Sequence, residues 1–392
     1  MGSGNFQSGC LDRLEENIDQ AGYSHSAARL LTALWFENEN YAKLAQSSIS
    51  RPDIFSNPIL LPRVALAQVI VQDDLDGYLP DRSLSSNQFF ILSERLRKLG
   101  RSEGARVSLE IALKIDNGWE SALDRSLAAF WVGRARQNDQ QWDMARGAYQ
   151  LALPGFLKEA SPVGMEYASY TYVRLATIAQ IQNDYQLAAN YYEMSIRIGP
   201  QWGGFLQYVD FLMAEGKPGS EIYSTLLQLC NGELQNDPYI WSGAILALRE
   251  KGFLGYARRI LDVVPTVLID DPEIMAQQGL LEEKQGYYDT AYNIYLSLYQ
   301  QAKLNGGVSE IAEWAAHLGN VLLLQDRPEQ AQGYLEEAVL TDPTVYWYWY
   351  ALGDTFQKMG RTEDARSAYQ QALTLNPEYL PAKQALEEIG IP

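Results

Sequence analysis

The chain of 392 residues is long enough for two or three ordinary domains or for one long array of repeats. Its hydrophobic content of 47% excludes bulk disorder, and its formal net charge of -18 disfavours nucleic-acid binding, because affinity for phosphate backbones comes mainly from basic side chains. Two cysteines and two histidines are too few for a disulfide framework, a Cys- or His-based metal site or a catalytic triad, so we predict no metal site, no cofactor and no catalytic residue.

The first residues, 1–9 (MGSGNFQSG), have neither the basic start nor the apolar run of a signal peptide. They look like a cloning remnant or a disordered start, and a native leader or anchor could have been removed with them. The compartment is therefore open between the cytoplasm and a soluble domain at the cell envelope. No apolar run approaches the ~20 residues that cross a bilayer, so direct membrane insertion is not predicted.

Residues 10–85 contain helical stretches separated by breaks rich in Pro, Ser and Asn, such as IFSNPILLP. The stretches SAARLLTALWFENENYAKLAQSSI and PRVALAQVIVQDDL carry apolar residues at helical spacing. We predict an N-terminal helical segment here, either a degenerate repeat or a cap.

From residue 86 onward one pattern recurs, an alanine followed four residues later by a large side chain. The alanines are Ala105, Ala145, Ala188, Ala257, Ala291, Ala331 and Ala365. The most complete copy, 346–379, reads W-x2-L-G-x2-aromatic, then A-x3-aromatic, then Pro. This pattern resembles the tetratricopeptide repeat. A small residue at these sites lets two helices approach closely, where a large one would overpack.

The resemblance implies an all-α fold, a right-handed superhelical α-solenoid of stacked antiparallel helix pairs. About eight repeats are predicted within 86–379, followed by a capping helix at 380–392. The predicted repeats are 86–119, 126–159, 169–202, 203–237 (degenerate), 238–271, 272–305, 312–345 and 346–379. Extra residues near 120–125, 160–168 and 306–311 are expected to lengthen a helix or a loop, and whether they have a function is left open.

The run YWYWY at 346–350 opens the last repeat. In a helix its members fan out at about 100° per residue, so they cannot share one role. We expect Trp349 to lie in the core and Tyr348 to pack between repeats. The resemblance implies that Trp347 and Tyr350 line the inner, concave surface.

The same resemblance implies a partner-binding surface built from the inner positions of the first helices. The predicted partner-binding residues are Phe90, Arg97, Phe130, Arg134, Tyr170, Tyr239, Arg249, Trp347, Tyr350, Asp354 and Lys358. Aromatic residues with scattered arginines are typical of recognition surfaces. The two-carboxylate clamp of chaperone-binding members is disfavoured, because Ala316 stands where a clamp lysine belongs.

The sequence thus predicts a non-catalytic scaffold that binds a protein or peptide partner, with self-association as a further option. Neither a phosphate-binding loop nor a G-x-S-x-G nucleophile motif occurs. The alternative is a soluble regulatory or assembly domain of a larger bacterial envelope or glycan-assembly membrane protein, which membrane spans in the full-length gene would favour. A second rival, an RNA-binding pentatricopeptide array, conflicts with the acidic charge.

Overall fold

The structure is a computed structural model that describes residues 85–159, 161–202 and 204–390. Before residue 85 it describes only the helix 41–50 and five single residues. The predicted remnant 1–9 and most of the predicted segment 10–85 therefore lie outside the described residues, as do Cys10 and His25.

The described ranges contain α-helices and two short 3-10 helices but no strand, which confirms the predicted all-α class. The α-helices, in chain order, are α1 (Tyr41–Ser50), α2 (Ser86–Lys98), α3 (Ser102–Ile115), α4 (Ala122–Asn138), α5 (Trp142–Glu159), α6 (Pro162–Ile181), α7 (Tyr185–Ile198), α8 (Phe205–Ala214), α9 (Gly219–Cys230), α10 (Pro238–Glu250), α11 (Leu254–Leu261), α12 (Pro272–Lys284), α13 (Tyr288–Asn305), α14 (Val308–Leu324), α15 (Pro328–Thr341), α16 (Tyr346–Lys358), α17 (Thr362–Leu375) and α18 (Leu380–Glu388). No described helix is both long and apolar enough to cross a membrane.

The chain divides into two compact units, Met1–Tyr191 and Tyr192–Pro392, called here the N-terminal and C-terminal units. In each unit, helices that follow one another in sequence pack against one another as antiparallel pairs. Buried alanine, leucine and tyrosine side chains fill the space between them. This arrangement agrees with the predicted stacking of helix pairs.

A sharp turn with one left-handed residue ends the first helix of each pair in the described ranges. The left-handed residues are Gly100, Gln140, Asn183, Gly216, Gly252, Gly286, Asp326 and Gly360. After each of them the next N–H bonds back to a carbonyl in the last helical turn, as Gln141 N does to Arg136 O at 2.8 Å. This is the Schellman arrangement, in which glycine is favoured because it has no Cβ to clash.

Gln140 is the turn residue least suited to this conformation, with φ of 59°. A left-handed non-glycine residue costs roughly 1–2 kcal/mol, and asparagine and aspartate tolerate the region better than glutamine does. We therefore expect Gln140→Gly to raise the free energy of unfolding by about 0.5–1 kcal/mol in urea denaturation. The reverse change, Gly252→Gln, should lower it, and a neutral outcome for both would contradict this account.

The first helix of a pair can approach the second closely because a glycine faces a tyrosine ring. A Cβ added to Gly133, Gly279 or Gly353 would lie 2.5–2.7 Å from ring atoms of Tyr149, Tyr295 or Tyr369, respectively. In the first of these pairs the ring extends far enough for the Tyr149 hydroxyl to donate a hydrogen bond to Gln137 Oε1 on the first helix, at 2.7 Å.

The extra residues between predicted repeats lengthen helices. The helices α4, α5 and α6 have 17, 18 and 20 residues, and α13 and α14 have 18 and 17. In the last repeat α16 and α17 have only 13 and 14. The longer helices expose more side chain on each face of the pair.

Candidate functional site

The aromatic run at 346–350 forms the first turns of α16, and its members are buried differently from the prediction. Tyr348 is the buried member, with 5% of its surface exposed. Trp349 is only half-buried, against the edge of the core, and its Nε1–H donates to Pro343 O at 2.9 Å. The expectation that Trp349 lies in the core is therefore corrected: the hydrogen bond holds the indole at the helix start, near solvent.

Trp347 packs on an aromatic group centred on His317. The His317 ring lies 5.2 Å from Trp347, 5.8 Å from Trp314 and 4.9 Å from Tyr295. Its Nδ1 lies 3.4 Å from Glu283 Oε2. The face of α14 next to Trp347 is therefore a layer of aromatic rings over a half-buried carboxylate.

Glu283 is the centre of a polar network beneath that layer. It accepts hydrogen bonds of 2.7 Å from the Tyr295 hydroxyl and from Asn320 Nδ2. Burial opposes its ionisation, but His317, Tyr295 and Asn320 outweigh that effect and lower the pKa of Glu283. Glu283 is therefore a satisfied structural carboxylate.

For three other carboxylates of the C-terminal unit the effect of burial outweighs that of the stabilising neighbours. Burial raises the pKa of Glu273, Glu313 and Asp354. The charge on Glu313 raises the pKa of Glu273 further, and Glu388 does the same for Asp354. Within the described residues none of the three forms an ion pair. Glu273 and Asp354 are half-buried and Glu313 is exposed. Lys358 lowers the pKa of Asp354 and His317 lowers that of Glu313, but neither forms an ion pair with the carboxylate.

A cavity of about 540 Å³ lies between α14, α16 and α18, with Tyr350, Asp354 and Glu388 in its wall. The Tyr369 hydroxyl lies 2.7 Å from Asp354 Oδ1, and Tyr350 also hydrogen-bonds to this carboxylate, which fixes its position. Lys358 lines the cavity too, but its Nζ lies 2.8 Å from Asp326 Oδ1. The lysine therefore forms its ion pair with Asp326 rather than with Asp354, although its charge also lowers the pKa of Asp354.

A second cavity, of about 450 Å³, lies between α8, α10 and α12, and Tyr239 and Glu273 line it. Tyr239 is 38% exposed, and the charge on Glu273 raises the pKa of its phenol. We call the surface from this cavity to the first one the acidic face. It is defined by Tyr239, Glu273, Glu313, Trp347, Tyr350 and Asp354.

In the N-terminal unit the predicted partner-binding residues are separate from this face. Phe90 is half-buried, with its ring 6.3 Å from Trp119. Tyr170 is 39% exposed. Arg97 and Arg134 both lie over the ring of Trp131.

Two predicted partner-binding residues are buried and are corrected here. Phe130 is 4% exposed, because its ring packs among Tyr149, Phe156 and Tyr167 between the long helices α4, α5 and α6. Arg249 is 6% exposed, because it donates to Gln277 Oε1 at 2.9 Å and so joins α10 to α12. Both side chains hold helices together and cannot contact a partner directly.

Sequence reasoning missed Glu273, Glu313, His317 and Glu388. A signal for the first two exists, since they occupy the same place in successive repeats as Tyr239 and Trp347, which were predicted. The raised pKa of these two carboxylates depends on how neighbouring helices surround them, so it has no sequence signal.

Nothing in the described residues suggests metal or thiol chemistry. No cluster of three or more His, Cys, Asp or Glu side chains that could hold a metal ion occurs in the described ranges. Cys230 is buried, and burial raises the pKa of its thiol to about 12, so it is not a ready nucleophile.

Comparison with known proteins identifies one repeat directly. Residues 346–379 match the family model described as tetratricopeptide repeat. No curated protein matches the chain significantly.

Several solved structures are similar to the chain at low identity. One is a tetratricopeptide repeat protein from Parabacteroides merdae (13% identity, 78% of this chain and 98% of that one, TM-score 0.44). Another is the APC/C hetero-tetramer Cut9–Hcn1 (13% identity, 97% and 92%, TM-score 0.41). A third is YrrB, described as having an unusual peptide-binding site (14% identity, 56% and 92%, TM-score 0.33).

Proposed function

Because the chain is a tetratricopeptide helical-repeat protein, we propose that it is a non-catalytic scaffold whose acidic face binds a basic segment of a protein partner. A lysine or arginine side chain of that segment enters the cavity at Asp354, and neighbouring backbone lies along Trp347 and Tyr350.

The observation that supports this proposal is a set of three carboxylates that form no ion pair with any described residue: Glu273 and Asp354, which are half-buried, and Glu313, which is exposed. Burial disfavours their charged form, which is why their pKa values are raised. A partner cation would restore a favourable environment for the ionised form, so it would gain more than at an exposed carboxylate. An acidic surface also repels nucleic acid, which favours a protein partner.

Aromatic side chains beside these carboxylates suit the same ligand. Trp347 and Tyr350 are half-buried and so retain exposed surface next to Asp354. Lysine and arginine are attracted to aromatic faces by the ring quadrupole as well as to carboxylates. The combination favours a basic side chain over a neutral one. The alternative role in a larger envelope protein stays a prediction, since no feature of the acidic face bears on it.

The binding test uses the full chain and a fluorescein-labelled peptide of alternating lysine and glycine, with a glutamate–glycine peptide as its charge-reversed partner. We expect the basic peptide to bind, and Asp354→Asn to weaken its binding about tenfold, because a buried charge-assisted hydrogen bond contributes roughly 1.5–3 kcal/mol. The matched control is Glu329→Gln, which removes the same charge from an exposed site on α15. Equal losses for both variants would mean that only overall charge matters, and the proposal would fail.

Asp354→Asn should also stabilise the fold at neutral pH. The folded-state pKa of Asp354 lies above its unfolded value, so the folded chain holds the proton more tightly and ionisation favours unfolding. This destabilisation by the ionised carboxylate is absent when the pH is below the unfolded pKa of about 3.9. It is complete when the pH is above the raised folded pKa. The variant should therefore melt higher than the unsubstituted chain at pH 7 and equally near pH 3. A lower melting temperature at pH 7 would show that Asp354 is structural.

A further inference from the structure

The N-terminal unit contains a small cavity of about 220 Å³ between α2, α3 and α4. Its floor is apolar, with Ala105, Leu109 and the indole of Trp131. Two guanidinium groups lie close to that indole, with Arg97 Cζ 5.3 Å and Arg134 Cζ 5.4 Å from the ring centroid. At these distances both cations interact with the ring face and are held at the rim of the cavity.

The arginines around this cavity differ in whether a carboxylate neutralises them. Arg97 pairs with Glu94, Nη2 to Oε2, at 2.8 Å. Arg106 pairs with Glu103 and Glu110. Arg134 is half-buried and forms no ion pair with any described residue. The rim thus carries one guanidinium with no counter-charge, in a chain whose net charge is -18.

A second unpaired arginine lies nearby on α6. Arg174 is half-buried, and it too forms no ion pair within the described ranges. Burial raises the pKa of Tyr149 to about 12, while the charges on Arg174 and Arg134 oppose that rise. Both guanidinium groups therefore lie within electrostatic reach of the same phenol, which hydrogen-bonds to Gln137 beside Arg134 on α4.

We propose that this cavity is a second recognition site, which takes one large apolar side chain of an acidic peptide while Arg134 pairs with a carboxylate next to it. The ligand class is opposite in charge to that of the acidic face, and the two sites share no residue. This inference therefore stands or falls independently of the proposed function.

The size and lining of the cavity select this ligand. Its volume is below the roughly 300–1,000 Å³ of small-molecule pockets and suits a single side chain. A free phosphate or carboxylate ion would use the guanidinium groups but would leave the floor of Trp131, Leu109 and Ala105 uncovered. A peptide that carries an apolar residue beside Asp or Glu covers the floor and neutralises Arg134 at once. An unpaired half-buried charge gains most from such a partner.

The test uses the full chain and two labelled acidic peptides that differ only in a central leucine or serine flanked by glutamates. We expect the leucine peptide to bind more tightly than the serine peptide. Arg134→Met keeps the aliphatic stem and removes the charge, and it should weaken leucine-peptide binding about tenfold or more. The control Arg146→Met removes a paired arginine from α5 in the same unit and should leave this affinity unchanged.

Circular dichroism melting checks the fold of each variant. Should Arg134→Met melt early, Arg134→Gln, which removes the charge but keeps a polar end, replaces it with the same expectation. Asp354→Asn should leave leucine-peptide binding intact, which separates this site from the acidic face. The proposal is overturned if the two peptides bind equally or not at all. It is also overturned if Arg134→Met and Arg146→Met change the leucine-peptide affinity by the same factor. A third contrary result would be displacement of the leucine peptide by single-stranded RNA at a lower concentration than unlabelled peptide requires.

Discussion

Replacing Trp241 with alanine is expected to lower the free energy of unfolding by about 3–5 kcal/mol, the range for deleting a buried aromatic side chain. Trp241 lies on α10 of the C-terminal unit with 1% of its surface exposed. Its Nε1–H donates to Gln235 O at 2.8 Å, so the change leaves a cavity and also removes this hydrogen bond. Urea denaturation followed by far-UV circular dichroism measures the loss.

Trp349 provides the matched control, because it occupies the same place in its own repeat. Its indole N–H also donates to the carbonyl six residues earlier, Pro343 O, at 2.9 Å. The two sites therefore share the hydrogen bond and differ in burial. Trp349→Ala should cost less than Trp241→Ala, since a half-buried ring leaves no closed cavity. Equal losses would show that the hydrogen bond, rather than packing, determines the cost at this position.

This pair of tryptophans shows how far the sequence predicts the fold. The repeat pattern predicts which helix each tryptophan belongs to, because small and large residues must alternate where two helices cross. It cannot predict how deeply each ring is covered. That depends on the neighbouring pair, which covers Trp241 fully and leaves Trp349 near solvent.

Among the predicted partner-binding residues, too, the sequence predicts the place along the helix but not the burial. Trp347, Tyr350 and Asp354 lie together on one surface because helix periodicity puts them there. Phe130 and Arg249 have equivalent places in their helices, yet they are buried, because long neighbouring helices or a polar partner such as Gln277 cover them. Position along a helix is readable from sequence, but coverage by the next helix requires the structure.

Two carboxylates of the C-terminal unit, Glu283 and Asp354, lie in environments that act on their charge in opposite ways. Glu283 is half-buried and accepts hydrogen bonds from Tyr295 and Asn320, so it stabilises the joint between α12, α13 and α14. Asp354 is half-buried, has an elevated pKa and forms no ion pair with any described residue, which is unfavourable for the isolated fold. Functional sites commonly carry such destabilising residues, because optimising stability there would remove the interaction with the ligand.

The second large effect is expected at the ion pair between Arg258 and Glu282. Arg258 on α11 forms a two-pronged contact with Glu282 at the end of α12, Nη1 to Oε1 at 2.6 Å and Nη2 to Oε2 at 2.7 Å. Glu282 is only 5% exposed. Arg258→Met keeps most of the aliphatic stem but leaves the carboxylate buried without its cation, which should cost about 3–5 kcal/mol.

A double-mutant cycle separates the pair from its surroundings. Glu282→Leu alone leaves Arg258, whose side chain is 29% exposed, able to reach water, so it should cost less than Arg258→Met. The double variant should recover much of the loss, because two apolar side chains replace a desolvated pair. As a control, Lys217→Met breaks the exposed pair with Glu221 and should cost at most about 1 kcal/mol. Two results would contradict this account: a loss for Arg258→Met no larger than that of the control, or a double-variant loss equal to the sum of the two single losses in unfolding free energy. Either would mean that the contact is an ordinary surface salt bridge and that the joint between α11 and α12 depends on packing alone.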